Sequence, residues 1–388
     1  MLPLATTTWD ENEYQALQTV IDSGMFTMGK YVKEFEREFA KFVGSKYCVM
    51  VNSGSSANLI AIASMFYRSE NPLKAGDEVI VPAVSWPTTY YPLYQYGLKI
   101  KFVDINEKTL NLDLNQLESA ITDKTKAIFA VNLLGNSIDY GKLNKIIEGK
   151  NITLLEDNCE SLGATFNGKQ AGTFGLMGTF SSFFSHHIST MEGGVVVTDD
   201  EELYHIMLSV RSHGWTRHLP KENKLCVKSD NSFEESFRFI LPGYNLRPLD
   251  MSGALGLEQL KKISSIIVGR RNNAKSFVDI FSKIEGITIQ EETGESSWFG
   301  FAIIVHAGKE KRDLLAKVLN DNGVDCRPIV AGNFVLNPVV NYFDFEVHNN
   351  LTASDKINDN GLFIGNHHYD ISQPLADIAK IVMKTLSK

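Results

Sequence analysis

The chain has 388 residues, 43% hydrophobic and 22% charged, with a formal net charge of -8. This is enough chain for two domains with real cores, in the composition range of soluble globular proteins. The acidic balance speaks against nucleic acid as a partner, so any anionic ligand must be gripped locally.

The opening stretch MLPLATTTWDENEY lacks a basic region followed by an apolar core, so no secretory signal is expected. Val32, Phe35, Phe39 and Phe42 recur at helical spacing, and Gly44 closes that run. Short apolar strands are predicted at Tyr47–Val51, Glu78–Val81, Lys99–Val103, Ala127–Val131 and Thr153–Leu155, with helical stretches such as Leu114–Ile121 between some of them. This alternation predicts an α/β fold with a mostly parallel sheet covered by helices, in which ligands gather at the C-terminal strand ends. Lys221–Ser232 reads as a polar surface loop. The character changes near Leu249, where a long helix over Met251–Ile284 leads towards a second domain. Trp298–Val305 reads as a strand, and Arg312–Asn322 and Pro374–Leu386 as helices. No internal repeat, low-complexity segment or apolar run of membrane-spanning length is present in the sequence. Cys48, Cys159, Cys226 and Cys326 are scattered without a C-x-x-C pair, which suggests neither a metal knuckle nor a disulfide framework and fits a reducing cytoplasm.

Four stretches could carry chemistry. Asn52-Ser-Gly-Ser-Ser-Ala-Asn58 follows a strand and opens a helix, so its backbone N–H groups and the hydroxyls of Ser55 and Ser56 could cradle a phosphate. A serine N-cap with a turn glycine would leave the same trace. Trp86, in Val84-Ser-Trp-Pro-Thr-Thr-Tyr-Tyr91, could stack on a planar ring or pack as any aromatic does. Asp157, in Glu156-Asp-Asn-Cys-Glu160, could pair with a cationic ring nitrogen or cap the next helix. The fourth stretch is Ser181-Ser-Phe-Phe-Ser-His-His-Ile-Ser-Thr-Met-Glu-Gly-Gly194. Its two adjacent histidines could be read as metal ligands, but neighbours on an extended segment point to opposite sides.

In combination with Arg211-Ser-His-Gly214, Gly243-Tyr-Asn-Leu-Arg247 and Gly253-Ala-Leu-Gly-Leu-Glu-Gln-Leu260, these stretches resemble the DegT/DnrJ-type sugar aminotransferase family of fold-type-I pyridoxal-phosphate proteins over nearly the whole chain. The resemblance implies a large cofactor-binding domain over residues 1–249, built on a mostly parallel seven-stranded sheet between helices. A smaller C-terminal α+β domain over 250–388 would follow it. It assigns the cofactor phosphate to Gly54, Ser55 and Ser181, ring stacking to Trp86, the ring nitrogen to Asp157 and the ring's polar edge to Glu160. Asn245 would reach the phosphate in the neighbouring subunit of a homodimer with shared sites. Arg217 and Arg327 are candidates for a sugar nucleotide's diphosphate, although either could equally sit in a surface ion pair.

One position departs from the sugar-aminating members of this family. They carry a lysine six residues before the Glu of Glu-Gly-Gly, and counting back from Glu192 gives His186. An imidazole has no primary amine with which to tether the cofactor. The departure is shared by a subfamily, the 3-dehydratases that act on GDP-4-keto-6-deoxy-D-mannose in colitose formation for O-antigen, which SHHISTMEGG, VPAVSWPTTYYPL and HGWTRHLPKEN resemble closely. The resemblance implies pyridoxamine phosphate and pyridoxal phosphate as cofactor forms and L-glutamate as amino donor. His186 would be the single acid/base group, with an ordinary pKa of about 6.5 suited to proton shuttling. His187 is expected to orient or pack. Two rival readings remain at this level: an aminotransferase homologue, and a binding protein that keeps cofactor or sugar nucleotide without turnover. A related dehydratase type adds an iron–sulfur cluster, but only Cys226 lies between Gly214 and Tyr244.

Overall fold

A computed structural model describes residues 2–387. Met1 and Lys388, the end residues of the two expected domains, lie outside the described residues. The elements of the first two-thirds are α1 (Glu11–Ser23), α2 (Lys30–Val43), β1 (Tyr47–Val51), α3 (Gly54–Met65), β2 (Glu78–Pro82), α4 (Pro87–Gln95), β3 (Lys99–Val103), α5 (Leu114–Ala120), β4 (Thr125–Val131), α6 (Tyr140–Ile147) and β5 (Thr153–Asp157). A small hairpin, β6 (Thr165–Phe166) and β7 (Lys169–Gln170), precedes β8 (Met177–Ser181), β9 (Gly194–Thr198), α7 (Glu201–Val210) and the short α8 (Ser232–Glu235). The remainder comprises α9 (Asp250–Phe281), β10 (Ile287–Ile289), β11 (Gly300–Val305), α10 (Lys309–Asp321), β12 (Cys326–Arg327), β13 (Phe345–Val347), α11 (Thr352–Asn360), β14 (Gly361–Gly365) and α12 (Ser372–Leu386).

The main sheet has the order β1-β9-β8-β5-β4-β2-β3-β13. Only β9 runs against the rest, being antiparallel to both β1 and β8. Seven strands come from the first two-thirds, as expected, and an eighth is added from the C-terminal third. That strand, β13, pairs in parallel with β3, Phe345 opposite Ile100. Its Glu346 reaches the buried pair of Lys101 and Glu78, whose charges stand 2.9 Å apart. The strands are mostly apolar because helices cover both faces, and the buried charges of Lys101 and Glu78 are accommodated by pairing with each other. A second sheet, β10-β11-β14-β12, holds its own core around Phe277, Phe301, Ile364 and Leu375.

Helix α9 lies directly on α2. Two glycines allow this approach: a Cβ at Gly253 would stand 2.5 Å from the backbone nitrogen of Val32, and one at Gly256 would stand 2.5 Å from the ring of Phe35. The glycines of Gly253-Ala-Leu-Gly256 thus serve helix packing. Asp250 opens α9 and accepts hydrogen bonds from the amides of Gly29 and Val32 at 2.9 and 3.0 Å, so its carboxylate satisfies donors at the start of α2.

Candidate active site

The C-terminal ends of β5 and β8 and the N-terminus of α3 border one cavity of about 400 Å³. Of the residues singled out in the sequence, Gly54, Ser55, Trp86, Asp157, Glu160, Ser181, His186 and Arg327 line it. Asn245 and Arg217 do not. Asn245 is exposed, and its side-chain oxygen accepts a hydrogen bond from Arg247 at 3.0 Å. Arg217 lies over the ring of Trp215 at 5.2 Å and faces separate grooves.

Ser53 is the N-cap of α3, its hydroxyl accepting from the amide of Ser56 at 3.1 Å. The capping reading and the cavity-wall reading of this loop therefore both hold. Gly54 is needed for closeness rather than for a turn: an added Cβ would stand 2.6 Å from Cβ of Ser181 and 3.2 Å from Sγ of Cys159. The amide end of α3 is thereby drawn up to the end of β8, a place that suits an anion.

Asp157 ends β5 and is 4% exposed. No helix follows it for its side chain to cap. One oxygen accepts from Asn58 and Thr89, each at 2.8 Å, and the other from the amide of Cys159 at 3.1 Å. Asn58 is itself held by the hydroxyl of Thr179 at 2.6 Å. Three donors, from α3, α4 and the loop that follows β5, hold the carboxylate in place. Sequence reading missed Asn58 and Thr89, although both lie inside stretches it had singled out. Glu160 stands beside the cavity and accepts from the amide of Leu134 at 2.9 Å. Burial pushes its carboxyl up to about 7, opposed by that hydrogen bond and assisted by Asp157. Trp86, the N-cap residue of α4, is 59% exposed at the rim, so it is not packed in the core as a typical aromatic would be.

His186 sits on the irregular connection between β8 and β9. This connection is pinned by Gln259 of α9, which accepts from the amide of Ser189 at 3.0 Å, and by the indole of Trp9, which donates to the Ser189 carbonyl at 3.0 Å. Nδ1 of His186 is buried without a hydrogen-bond partner, and the ring packs 5.1 Å from that of Phe299. Burial, and after it the positive charge of Arg270, pushes the imidazole down to about 4. The ordinary value used in reading the sequence is therefore displaced, and the ring is neutral at pH 7, ready to accept a proton. His187 does not line the cavity; it is 1% exposed and bonds the Ser297 carbonyl at 3.1 Å through Nε2. Among the described residues, no lysine lines this cavity.

A helix N-terminus rich in small and hydroxyl residues, with a fixed carboxylate at a neighbouring strand end in a mixed eight-stranded sheet, defines a protein of the aminotransferase fold that handles pyridoxal-type cofactors. The chain belongs to the DegT/DnrJ/EryC1/StrS aminotransferase family, whose profile matches residues 7–382. It is similar to the GDP-4-keto-6-deoxy-D-mannose 3-dehydratase of Escherichia coli O55:H7, with 60% identity over 385 residues, covering 98% of this chain and 99% of that protein. The protein of the same name from Yersinia pseudotuberculosis is 59% identical, covering 98% of each. A solved structure of GDP-4-keto-6-deoxymannose-3-dehydratase with a trapped PLP-glutamate geminal diamine superposes with a TM-score of 0.96 at 58% identity, covering 98% of this chain and all of that one.

Proposed function

We propose that this chain is a 3-dehydratase that uses pyridoxamine phosphate to remove the C3 hydroxyl of GDP-4-keto-6-deoxy-D-mannose, giving GDP-4-keto-3,6-dideoxy-D-mannose for O-antigen dideoxysugar synthesis in the cytoplasm. One observation carries the reading: His186 shares a cavity with Asp157, and none of the described lining residues is a lysine. A protein that delivers amino sugars by the family's usual route needs a primary amine there.

The residues present fit the cofactor. The amide end of α3, with Gly54, Ser55 and Ser181, would hold its phosphate. Asp157, held by three donors, would pair with the ring nitrogen, Glu160 would lie near the ring's polar edge, and Trp86 would cover the ring from the rim. When bound, the group supplies an electron-accepting ring and an amine that condenses with the sugar's C4 ketone. The protein's share is proton traffic. The neutral imidazole of His186 takes a proton, and its conjugate acid, made strongly acidic by burial, returns that proton to the departing C3 oxygen. L-glutamate would resupply the amine and leave as 2-oxoglutarate; in sum the sugar loses one oxygen, and ammonia is released. Arg327, exposed on the cavity wall without an ion-pair partner among the described residues, would meet the diphosphate. Asn245 stands outside its own chain's cavity, in keeping with a homodimer in which it serves the neighbouring subunit's site, whereas the position of Arg217 over Trp215, outside the cavity, lends its diphosphate role no support. The division into units 1–249 and 250–388 belongs to the same reading.

The test is to incubate the purified protein with pyridoxal phosphate, glutamate and several nucleotide-linked 4-keto-6-deoxy sugars, then to analyse products by mass spectrometry and assay ammonia. Loss of one oxygen from the GDP sugar with stoichiometric ammonia is expected. An amino sugar would mark an aminotransferase, and cofactor binding without turnover would mark a binding protein; either result overturns the proposal.

A further inference from the structure

The guanidinium of Arg270 is a buried cation that the chemistry above does not use. It lies on α9, is 5% exposed, and has no carboxylate partner among the described residues. Its Nε is buried with no hydrogen-bond partner. A buried charge without a counter-ion is costly, and such groups are usually paired. What Arg270 does hold is backbone. Its Nη1 donates to the carbonyls of Trp298 and Phe299, at 3.4 and 3.1 Å. Asn366 ties the two elements together, its amide donating to the Arg270 carbonyl at 3.1 Å and to that of Trp298 at 2.9 Å.

The backbone gripped in this way is strained. Trp298 has φ of +49°, a left-handed conformation that a bulky residue adopts only when its surroundings impose it. The amide of Phe299 donates to the carbonyl of Leu134 at 3.0 Å, and Leu134 is itself left-handed, with φ of +53°. The amide of Leu134 is the one that Glu160 accepts. The turn carries the ring of Phe299 to 5.1 Å from that of His186 and 5.9 Å from that of His187. One residue earlier, Ser297 offers its carbonyl to His187. Both histidines therefore rest against a turn held in place by Arg270.

We propose that Arg270 is a positioning residue for His186: it anchors the Trp298–Phe299 turn against which the imidazole packs and sets an unneutralised positive charge in its surroundings. The inference rests on the reading of His186 as the acid/base group. The other titratable or charged groups around that ring are His187 beside it and, on the cavity wall, Asp157, Cys159, Glu160, Glu192 and Arg327. The three carboxylates line the cavity, whereas Arg270 does not, and its charge has no carboxylate partner among the described residues. Burial and Arg270 both displace the ring's proton.

The experiment titrates the ring without turnover. Protein labelled with ¹³C at histidine Cε1 is followed by NMR across pH, with His186→Asn identifying the signal among the nine histidines. In the wild type, His186 should stay neutral to well below the ordinary value of 6.5. Arg270→Met should raise its midpoint by about one unit, a tenfold gain in proton affinity. Arg270→Lys, which keeps the charge, should hold the low midpoint while its shorter reach loosens the turn, lowering kcat with KM for the sugar unchanged. A wild-type midpoint near 6.5 overturns the proposal, and that measurement needs no variant to fold. So does an Arg270→Met protein of native melting temperature and near-ultraviolet circular dichroism whose His186 titrates as in the wild type. Neither result bears on whether the protein dehydrates its sugar, so failure of this inference and failure of the dehydratase reading remain distinguishable.

Discussion

Replacing Asp157 by Asn changes almost no volume and tests the anchor of the site directly. The carboxylate accepts three hydrogen bonds, from Asn58, Thr89 and the amide of Cys159. An amide offers one acceptor oxygen and one NH₂ donor. If the oxygen stays with Asn58 and Thr89, the NH₂ confronts the N–H of Cys159, which is left unpaired. The opposite orientation strands two donors instead. One buried donor without an acceptor costs about 1–3 kcal/mol, so the cofactor-free protein should lose stability on that scale. The variant also forfeits a charge-assisted hydrogen bond to the ring nitrogen of a bound cofactor, worth about 1.5–3 kcal/mol, or roughly 10- to 150-fold in Kd. Urea unfolding of the apoprotein and a spectrophotometric titration with pyridoxal phosphate measure the two losses separately. Asn58→Ala should weaken cofactor binding less, because it leaves the charge in place and removes only one of its supports. Wild-type affinity for pyridoxal phosphate in the Asp157→Asn protein would refute the assignment of that carboxylate.

His186→Lys places a primary amine in the slot and should abolish dehydration while creating a borohydride-trappable bond to pyridoxal phosphate; dehydration at the wild-type rate would exclude His186 as the acid/base group. Glu160 is held near 7 by burial, above its ordinary 4.5, so it binds its proton more tightly folded than unfolded. Its contribution therefore lowers stability as pH rises from about 4.5 to 7, and Glu160→Gln should gain on the wild type across that window in urea titrations at stepped pH. His186 acts oppositely: its lowered value makes the unfolded state bind more protons between about 4 and 6.5, so stability rises with pH there. Gln259→Leu removes the acceptor of the Ser189 amide, and hydrogen exchange over residues 182–193 should accelerate by about tenfold or more, with α9 itself unaffected.

The strand at Tyr47–Val51 was legible because it is an unbroken apolar run in a sheet covered on both faces, and Lys99–Val103 because its lysines alternate with Ile100 and Phe102. Strand β5 runs two residues past its apolar part, to Asp157. Glu156 can be buried there because the amides of Gly172 and Gly175 and the hydroxyl of Tyr140 donate to it, partners from distant parts of the chain. Strand β13 had no local signal: three residues with a central glutamate become a strand only because the edge of β3 is open to pair with them. The strand expected from Trp298 begins at Gly300 instead, since the grip of Arg270 and Asn366 holds Trp298 in a left-handed turn. Within the site, the phosphate loop, Trp86, Asp157 and His186 each bear local marks of residue type and position after a strand. Asn58, Thr89, Gln259 and Arg270 bear none, because their roles are contacts with residues far away in the chain.

What the linear order of residues determined by itself was the alternation of strands and helices, the residue types gathered at strand ends, and an imidazole in the place of an amine. Only the tertiary structure decided which of these share one cavity, which of the two adjacent histidines lines it, and how far burial and a neighbouring cation displace the proton of His186. Periodicity and side-chain chemistry are local properties that a sequence carries openly. Hydrogen-bond satisfaction and the electrostatic environment of a buried group are sums over neighbours that only the folded chain brings together.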